Sequence, residues 1–290
     1  YYDGFVYYTS DSKVRKVDPE SGEILAESEA PGSMMLLPQV TCGDGKVFAM
    51  TNEEGSTRIR VYRADTLELL YRTVALQGAQ IETPIMYHDG YFYLASYGKG
   101  AYYAFIATDE KLNFDISPEW TVEALSTTSQ GFLWGGAEFV GDYAYFGDTD
   151  GRFYAVNATT GQVVDTFMLG SYQVQSTPNY YAKNQRLYLS LGMNGGAILS
   201  IKVNADGTFD RDSQKWFISD VPGTGMKSSV VIYNDRLYVC GGGGHGGSGE
   251  PFRVIDANTM TEIYRIDEIA SKGSPVLSTA YATEENNHKV

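Results

Sequence analysis

Short runs of alternating apolar and polar residues recur along the whole chain, and one of them repeats with little change. A polar turn dipeptide is followed by one variable residue and then by apolar and aromatic residues, as in Asp89-Gly90-Tyr91-Phe92-Tyr93. An alternation with a period of two predicts a β-strand, and the dipeptide before it supplies the positive φ angles of a tight hairpin. The copies begin at Asp3, Asp44, Asp89, Gly141, Asn184, Asn234 and Asn287.

The repeat is long enough for four strands, because successive copies begin 41 to 53 residues apart. A strand precedes each hairpin turn and often opens with Pro, as at Thr83-Pro84, which suits a residue that cannot donate to a ladder. A second turn, such as Asn157-Ala158-Thr159-Thr160-Gly161, separates the last two strands. We name the strands of each repeat A to D in chain order, with Trp120 and Trp216 on strands D.

A four-stranded antiparallel sheet has two faces to cover, and stacking such sheets around an axis covers both. The repeat therefore predicts an all-β fold, a β-propeller of four-stranded antiparallel blades in a single domain over residues 1–290. Incomplete copies at both ends indicate that the chain is cut mid-blade, and the copy beginning at Asn287 favours seven blades. Six blades are the alternative, in which a strand at residues 274–281 pairs with residues 5–8 and completes the first blade.

The series of a Ser/Thr-Pro step, an Asp-Gly-x-Val-Tyr hairpin and an Asp-x-x-Ser/Thr-Gly turn resembles the PQQ-like, or quinoprotein-type, propeller repeat over essentially the whole chain. Residues 83–90 and 203–210 also resemble propeller modules of Gram-positive bacterial surface proteins. The resemblance implies an exported, non-catalytic module of a larger polypeptide, at the cell surface or outside the cell. Enzymes of the wider family hold pyrroloquinoline quinone between a Trp and a disulfide of adjacent cysteines, with Ca²⁺. This chain has no Cys-Cys pair, so we expect no cofactor.

Charge and composition remove several classes of partner. The net charge is −14 and the pI is about 4.6, so an acidic surface repels nucleic acid and anionic membranes. No run approaches the roughly 20 apolar residues of a membrane-spanning helix, and no signal peptide is visible. Cys42 and Cys240 fit neither a disulfide framework nor a metal spacing, so both are predicted to be free thiols.

Candidate ligand-binding residues lie in the loops between strands D and A and between strands B and C. A propeller places these loops on one face, where exposed aromatic side chains suit a protein or carbohydrate ligand. The alternative is that the same side chains pack between neighbouring blades. The glycine-rich stretch at residues 240–250 adds a His and backbone N–H groups suited to an anion, or is a plain B–C connection. The candidates are Trp134, Tyr172, Tyr97, Phe132, His245 and Met226.

Metal and catalytic sites have less support. Asp148 and Asp150 offer two carboxylates to Ca²⁺. Ca²⁺ takes six to eight oxygen ligands and this loop supplies few, so the alternative is a plain hairpin between strands B and C. Residues 204–212 are predicted to be a turn, since Lys202 and Ser213 stand where an EF-hand needs ligands. No nucleophile elbow occurs.

The sequence thus predicts a non-catalytic module that acts in ligand or protein binding, adhesion or scaffolding. The first alternative is a hydrolase or lyase that acts on carbohydrate at the mouth of the channel. The second is a PQQ-dependent dehydrogenase.

Overall fold

The computed structural model describes residues 1–29, 33–34, 40–76, 81–98, 100–125, 130–192, 195–221, 225–241 and 249–280. It divides the chain into two compact units, Tyr1–Asp142 with Val156–Val163 and Tyr143–Ala155 with Val164–Val290. The single domain over residues 1–290 stays a prediction. Within the described ranges the regular structure is strand alone, and none of it is a helix able to span a membrane.

The strands are short, and their length matches the alternating runs of the repeat. In chain order they are β1 (Val6–Ser10), β2 (Lys13–Val17), β3 (Ile24–Glu27), β4 (Ser33–Met34), β5 (Val40–Gly43), β6 (Lys46–Glu53), β7 (Ser56–Arg63), β8 (Leu69–Arg72), β9 (Met86–His88), β10 (Tyr91–Ala95), β11 (Ala101–Ile106), β12 (Trp120–Glu123), β13 (Glu138–Val140), β14 (Tyr143–Gly147), β15 (Arg152–Asn157), β16 (Val163–Met168), β17 (Gln173–Val174), β18 (Asn179–Tyr181), β19 (Arg186–Gly192), β20 (Ala197–Val203), β21 (Phe209–Ile218), β22 (Val231–Tyr233), β23 (Arg236–Val239), β24 (Phe252–Asp256) and β25 (Glu262–Ile266).

Strands that follow one another along the chain form antiparallel sheets, one for each repeat. The orders are β1-β2-β3, β4-β6-β7-β8, β12-β11-β10-β9, β13-β14-β15-β16, β17-β19-β20-β21 and β22-β23-β24-β25, while β5 also pairs with β6 and β18 with β19. This succession confirms the predicted all-β fold of four-stranded antiparallel sheets. Trp120 lies in β12 and Trp216 in β21, so both occupy strand D as predicted.

Strand A differs from the prediction in detail. In the fifth repeat it is broken in two, because β17 pairs with the end of β19 and β18 pairs with its beginning. Pro178 lies at the break, where a residue without an N–H costs no ladder bond. The first described sheet begins with strand B, and residues 274–280 form no strand. The copy beginning at Asn287 lies outside the described residues, so the number of blades stays a prediction.

The core consists of the strands B and C, whose side chains are buried on both faces. In β10 and β11 the rings of Phe92 and Phe105 stack with centroids 5.0 Å apart. The ring centroid of Phe48, from the preceding repeat, lies 4.9 Å from that of Phe92, and all three side chains are fully buried. Burial on both faces explains why these strands carry near-continuous apolar and aromatic residues where one-sided sheets show strict alternation.

In four repeats the last aromatic residue of the hairpin motif connects the repeat to the next one. Its phenolic hydroxyl donates to a backbone carbonyl in the C–D turn of the following repeat, and we call this contact the tyrosine–turn bond. It joins Tyr7 to Ala64 at 2.8 Å, Tyr93 to Ala158 at 3.3 Å, Tyr145 to Gly207 at 3.0 Å and Tyr188 to Ala257 at 2.8 Å.

The Ala that accepts this bond is itself held to the A–B turn of its own repeat. The backbone N–H of Ala64 donates to Gly45 at 2.8 Å, and that of Ala257 donates to Asp235 at 2.9 Å. The C–D turns that contain Ala64, Ala158 and Ala257 are therefore bonded in two directions, to their own hairpin turn and to the Tyr of the repeat before. This arrangement gives a physical reason for the two turn motifs seen in the sequence.

Candidate functional site

Trp134 lies in the D–A loop after the third repeat and has an unusual backbone conformation. Its φ is +61°, a left-handed conformation that is uncommon for a bulky residue. Its side chain is 38% exposed, and its indole N–H donates to Oε2 of Glu82 at 2.8 Å. The ring is therefore held at the surface in one orientation by a bond to a residue 52 positions earlier in the chain.

The loop that carries Trp134 is attached to the end of strand B. The backbone N–H of Phe132 donates to the carbonyl of Ser96 at 3.1 Å, and that of Gly98 donates to Gln130 at 2.5 Å. Gly131 makes the approach close enough, because a Cβ there would lie 2.7 Å from the Ser96 carbonyl oxygen, and its φ is +90°. Glycine is thus required at this crossing.

A hydroxyl in the segment before β9 holds the other partner, Glu82, in place. The side chain of Thr83 is buried, donates to the Ala95 carbonyl at 3.0 Å and accepts from the Ala95 N–H at 2.7 Å. This two-way contact joins the segment that contains Glu82 to the end of β10. Glu82, Ser96 and Trp134 therefore belong to one hydrogen-bonded group of three chain segments.

Tyr97 lies beside this group and is partly exposed. Its hydroxyl donates to Oε1 of Gln130 at 2.5 Å, and its backbone forms a bridge with Gly131. The structure therefore brings together two of the predicted ligand-binding residues, Tyr97 and Trp134. We call the surface formed by Glu82, Tyr97, Gln130 and Trp134 the Trp134 surface.

Two further predicted residues are buried. Phe132 is 1% exposed, and its ring packs edge-on against Tyr102 with centroids 5.5 Å apart. Met226 is 1% exposed and packs in the core of the second unit with Tyr188 and Val239. Both positions match the packing alternative, so we leave them out of the Trp134 surface. His245 lies outside the described residues.

Tyr172, the remaining candidate, belongs to the second unit and stacks on Trp216. The two ring centroids are 6.1 Å apart with an interplanar angle of 26°, and both side chains are partly exposed. The Trp216 indole N–H donates to the Gln214 side chain at 3.0 Å. The sequence prediction missed the pairing with Trp216, as it missed Glu82 and Gln130. A Trp within the mostly polar β21 was the signal for an outward-facing side chain.

Asp148 has a structural role in the turn between β14 and β15. Its Oδ1 accepts the N–H groups of Asp150 and Arg152 at 2.9 and 3.0 Å, and its Oδ2 accepts the Tyr154 hydroxyl at 2.7 Å. The carboxyl is fully buried, and burial raises its pKa above the usual range. Protein donors occupy both oxygens, as the hairpin reading of this loop requires.

Metal ligands and thiols are scattered in the part of the chain that the structure describes. No group of three or more His, Cys, Asp or Glu in those residues is arranged to hold a metal ion. Cys42 and Cys240 are free thiols, as predicted. Burial raises the pKa of Cys42 to about 11, so this thiol is protonated and poorly reactive at neutral pH.

Comparison with known proteins supports the fold. A family model described as "Outer membrane protein assembly factor BamB" matches residues 10–187. Comparison with curated proteins gives no match. The crystal structure of BamB from Moraxella catarrhalis is similar with a TM-score of 0.66 and 13% identity, over 93% of this chain and 72% of that chain. The crystal structure of the computationally designed Ika8 protein is similar with a TM-score of 0.66 and 12% identity, over 96% of this chain and 77% of that one. These similarities confirm the predicted β-propeller.

Proposed function

Since the chain belongs to the PQQ-like propeller family described as outer membrane protein assembly factor BamB, we propose that it is a non-catalytic module that binds a protein partner. The family description names a factor that works on other proteins, and this supports a protein in preference to a carbohydrate as the ligand. The proposed contact is the Trp134 surface. Adhesion and scaffolding are the roles that such a module would serve.

The observation that carries this proposal is the conformation of Trp134. A left-handed backbone costs a bulky residue about 1–3 kcal/mol, and such strain concentrates at ligand-binding and active sites. Here three segments hold the strained residue with its ring at the surface. A rigid, half-exposed indole next to polar groups is the kind of anchor that dominates protein interfaces. Tyr172, stacked on Trp216, is a proposed second contact of the same type.

The proposed location is outside the cytoplasm, at the cell surface or in the surrounding medium. The family description places its namesake in assembly at the outer membrane, which supports an envelope location in general. Surface labelling of intact cells with a membrane-impermeant amine reagent tests it. Labelling equal to that of a cytoplasmic marker would contradict this location.

Photo-crosslinking in the cells that make the protein tests the partner. A benzophenone amino acid replaces Trp134 in one variant and the exposed Phe114 in the control. We expect a crosslinked protein at position 134 that is absent at position 114. Purified Trp134→Ala should then bind that protein at least tenfold more weakly, while Phe114→Ala binds it normally. Normal binding by Trp134→Ala would reject the Trp134 surface.

A further inference from the structure

A groove lies along the outer strand of the third sheet, in the first unit. Its volume is about 390 Å³, within the range of about 300–1,000 Å³ typical of ligand pockets. One wall is the segment that contains Val74 and Leu76. The opposite wall and floor are Ala101, Tyr103, Thr121 and Glu123.

The pairing of β11 with β12 places the floor and wall residues on one face. Ala101 is opposite Glu123, and Tyr103 is opposite Thr121, so these four side chains project to the same side of the sheet. Ala101 and Tyr103 in the floor and Leu76 in the wall are almost fully buried, so the inner surface of the groove is apolar.

The other wall of the groove is held in position at two points. The N–H of Val74 donates to the Ile116 carbonyl at 2.8 Å, and the N–H of Leu76 donates to the Thr57 carbonyl at 2.9 Å. Thr73 pairs with Ile116 in a parallel bridge. The segment therefore starts beside the chain that leads into β12 and then turns away toward β7. This divergence leaves the space between Leu76 and β12.

Strand β12 is the edge of its sheet, whose order is β12-β11-β10-β9. One side of an edge strand presents unpaired backbone N–H and C=O groups, which are a template for an added strand. Peptides that bind in this way gain affinity from main-chain bonds and specificity from side-chain pockets.

The exposed face of this edge is acidic. Glu119, Thr121 and Glu123 are exposed, whereas Trp120 and Val122 between them are buried. Neither Glu119 nor Glu123 forms an ion pair within the described ranges. Two carboxylates without cationic partners, on a chain of net charge −14, favour a cationic ligand.

We propose that this groove binds an extended, basic segment of a partner protein as an added strand on β12. An apolar side chain of that segment fills the space over Ala101 and Tyr103. Lys or Arg side chains on the same segment lie beside Glu119 and Glu123. The proposal rests on the protein-binding role above and adds to it the chemistry of the bound segment.

A synthetic peptide tests the groove without the cellular partner, so the result is independent of the Trp134 crosslink. The probe is a fluorescein-labelled octapeptide of sequence Lys-Thr-Leu-Thr-Lys-Thr-Leu-Thr, which places Lys and Leu on one face of an extended strand, and its matched control has Glu in place of Lys. We expect fluorescence anisotropy to show at least tenfold tighter binding of the Lys peptide to the wild-type chain. N-methylation of alternate backbone amides should weaken binding at least tenfold, because it removes the donors of an added strand.

Two double variants locate the binding. Glu119→Lys with Glu123→Lys should weaken binding at least tenfold. Glu20→Lys with Glu23→Lys changes the net charge equally on an exposed turn of the first repeat and should leave binding within twofold. Thr121→Trp, which fills the groove from an exposed position, should also weaken binding. Equal losses in both double variants, full binding by the N-methylated peptide, or no binding to the wild type would each overturn the proposal. So would a dimer in sedimentation velocity that only Glu119→Lys with Glu123→Lys dissociates, because the occupant is then a second copy.

Discussion

The hydroxyl of Tyr188 donates a hydrogen bond of 2.8 Å to the carbonyl oxygen of Ala257, which lies 69 residues further along the chain. The same contact recurs from Tyr7, Tyr93 and Tyr145. The Tyr that ends the hairpin motif thus has two roles, since its ring packs in the core and its hydroxyl satisfies a turn in the next repeat.

Tyr188→Phe should lower the free energy of unfolding by about 1–2 kcal/mol, because a buried carbonyl loses its donor. Tyr238→Phe is the matched control. Tyr238 occupies the same motif position in the sixth repeat, and its hydroxyl forms no hydrogen bond within the described residues. Urea denaturation followed by tryptophan fluorescence measures both. Equal losses in the two variants would show that the tyrosine–turn bond contributes nothing specific.

Gly161→Ala and Gly22→Ala should differ in cost, although both glycines end the same turn motif with φ near +72°. At Gly22 an added Cβ has open space, so only the left-handed backbone matters, and the cost is about 1 kcal/mol. At Gly161 the Cβ would lie 2.6 Å from the ring of Trp120. Overpacking of this kind adds about 1–3 kcal/mol. Urea midpoints that agree for the two variants would contradict this account.

Trp134→Gly and Trp134→Ala should separate backbone strain from recognition. Both variants lose the ring and its bond to Glu82, but only Ala keeps a Cβ in the left-handed conformation. Trp134→Gly should therefore be more stable than Trp134→Ala by about 1 kcal/mol. Both should lose partner binding equally. Thermal denaturation gives the first comparison, and a more stable Ala variant would contradict the strain argument.

Asp148→Asn should change how stability depends on pH. Burial raises the pKa of Asp148 in the folded chain above its ordinary value of 3.8, so the folded state binds the proton more tightly than the unfolded state. The wild type therefore loses stability relative to Asp148→Asn as the pH rises above 3.8. Urea denaturation of both proteins from about pH 3 to about pH 7, a range that covers the titration of carboxyl groups, measures the difference in the free energy of unfolding. A wild type that gains stability relative to Asp148→Asn as the pH rises would refute this sign.

Asp220→Asn should show the opposite dependence. Hydrogen bonds from Arg253 at 2.7 Å and Arg265 at 2.9 Å lower the pKa of Asp220 to about 2. The unfolded chain then binds the proton more tightly, so the contribution of Asp220 is complete above pH 3.8 and is lost as the pH falls toward 2. The same urea series measures it. Because Asp220 is largely exposed, added salt should reduce the difference.

Strands B and C and their turns were predictable from the sequence, because the determinants are local. Alternation with a period of two and the turn dipeptides lie within a few residues of the strands that they specify. The break in strand A between β17 and β18 was less visible, since it depends on which part of β19 each piece reaches.

The candidate site was predictable only as a set of loops. Phe132 and Trp134 are both aromatic and two residues apart, yet one is buried and the other is 38% exposed. Their difference arises from the bond of the Phe132 N–H to Ser96, a contact between segments distant in sequence. The partners Glu82 and Gln130 are specified by the same long-range pairing, so no local pattern identifies them.

The tyrosine–turn bond has its donor in one repeat and its acceptor in the next. A repeat such as the fifth, which contains the Gly207 acceptor and the Tyr188 donor, therefore carries half of two separate contacts. A duplicated repeat of this kind therefore already encodes both halves and can join its neighbours without new compensating substitutions. A chain built in this way can gain or lose whole repeats during evolution with little loss of stability at the junctions between repeats. The tolerance ends where a repeat lacks the phenol, as at Phe48. That junction uses other contacts, among them the ion pair of Lys46 with Asp109 at 2.5 Å and the bond of the Thr41 hydroxyl to the Ile85 carbonyl at 2.6 Å.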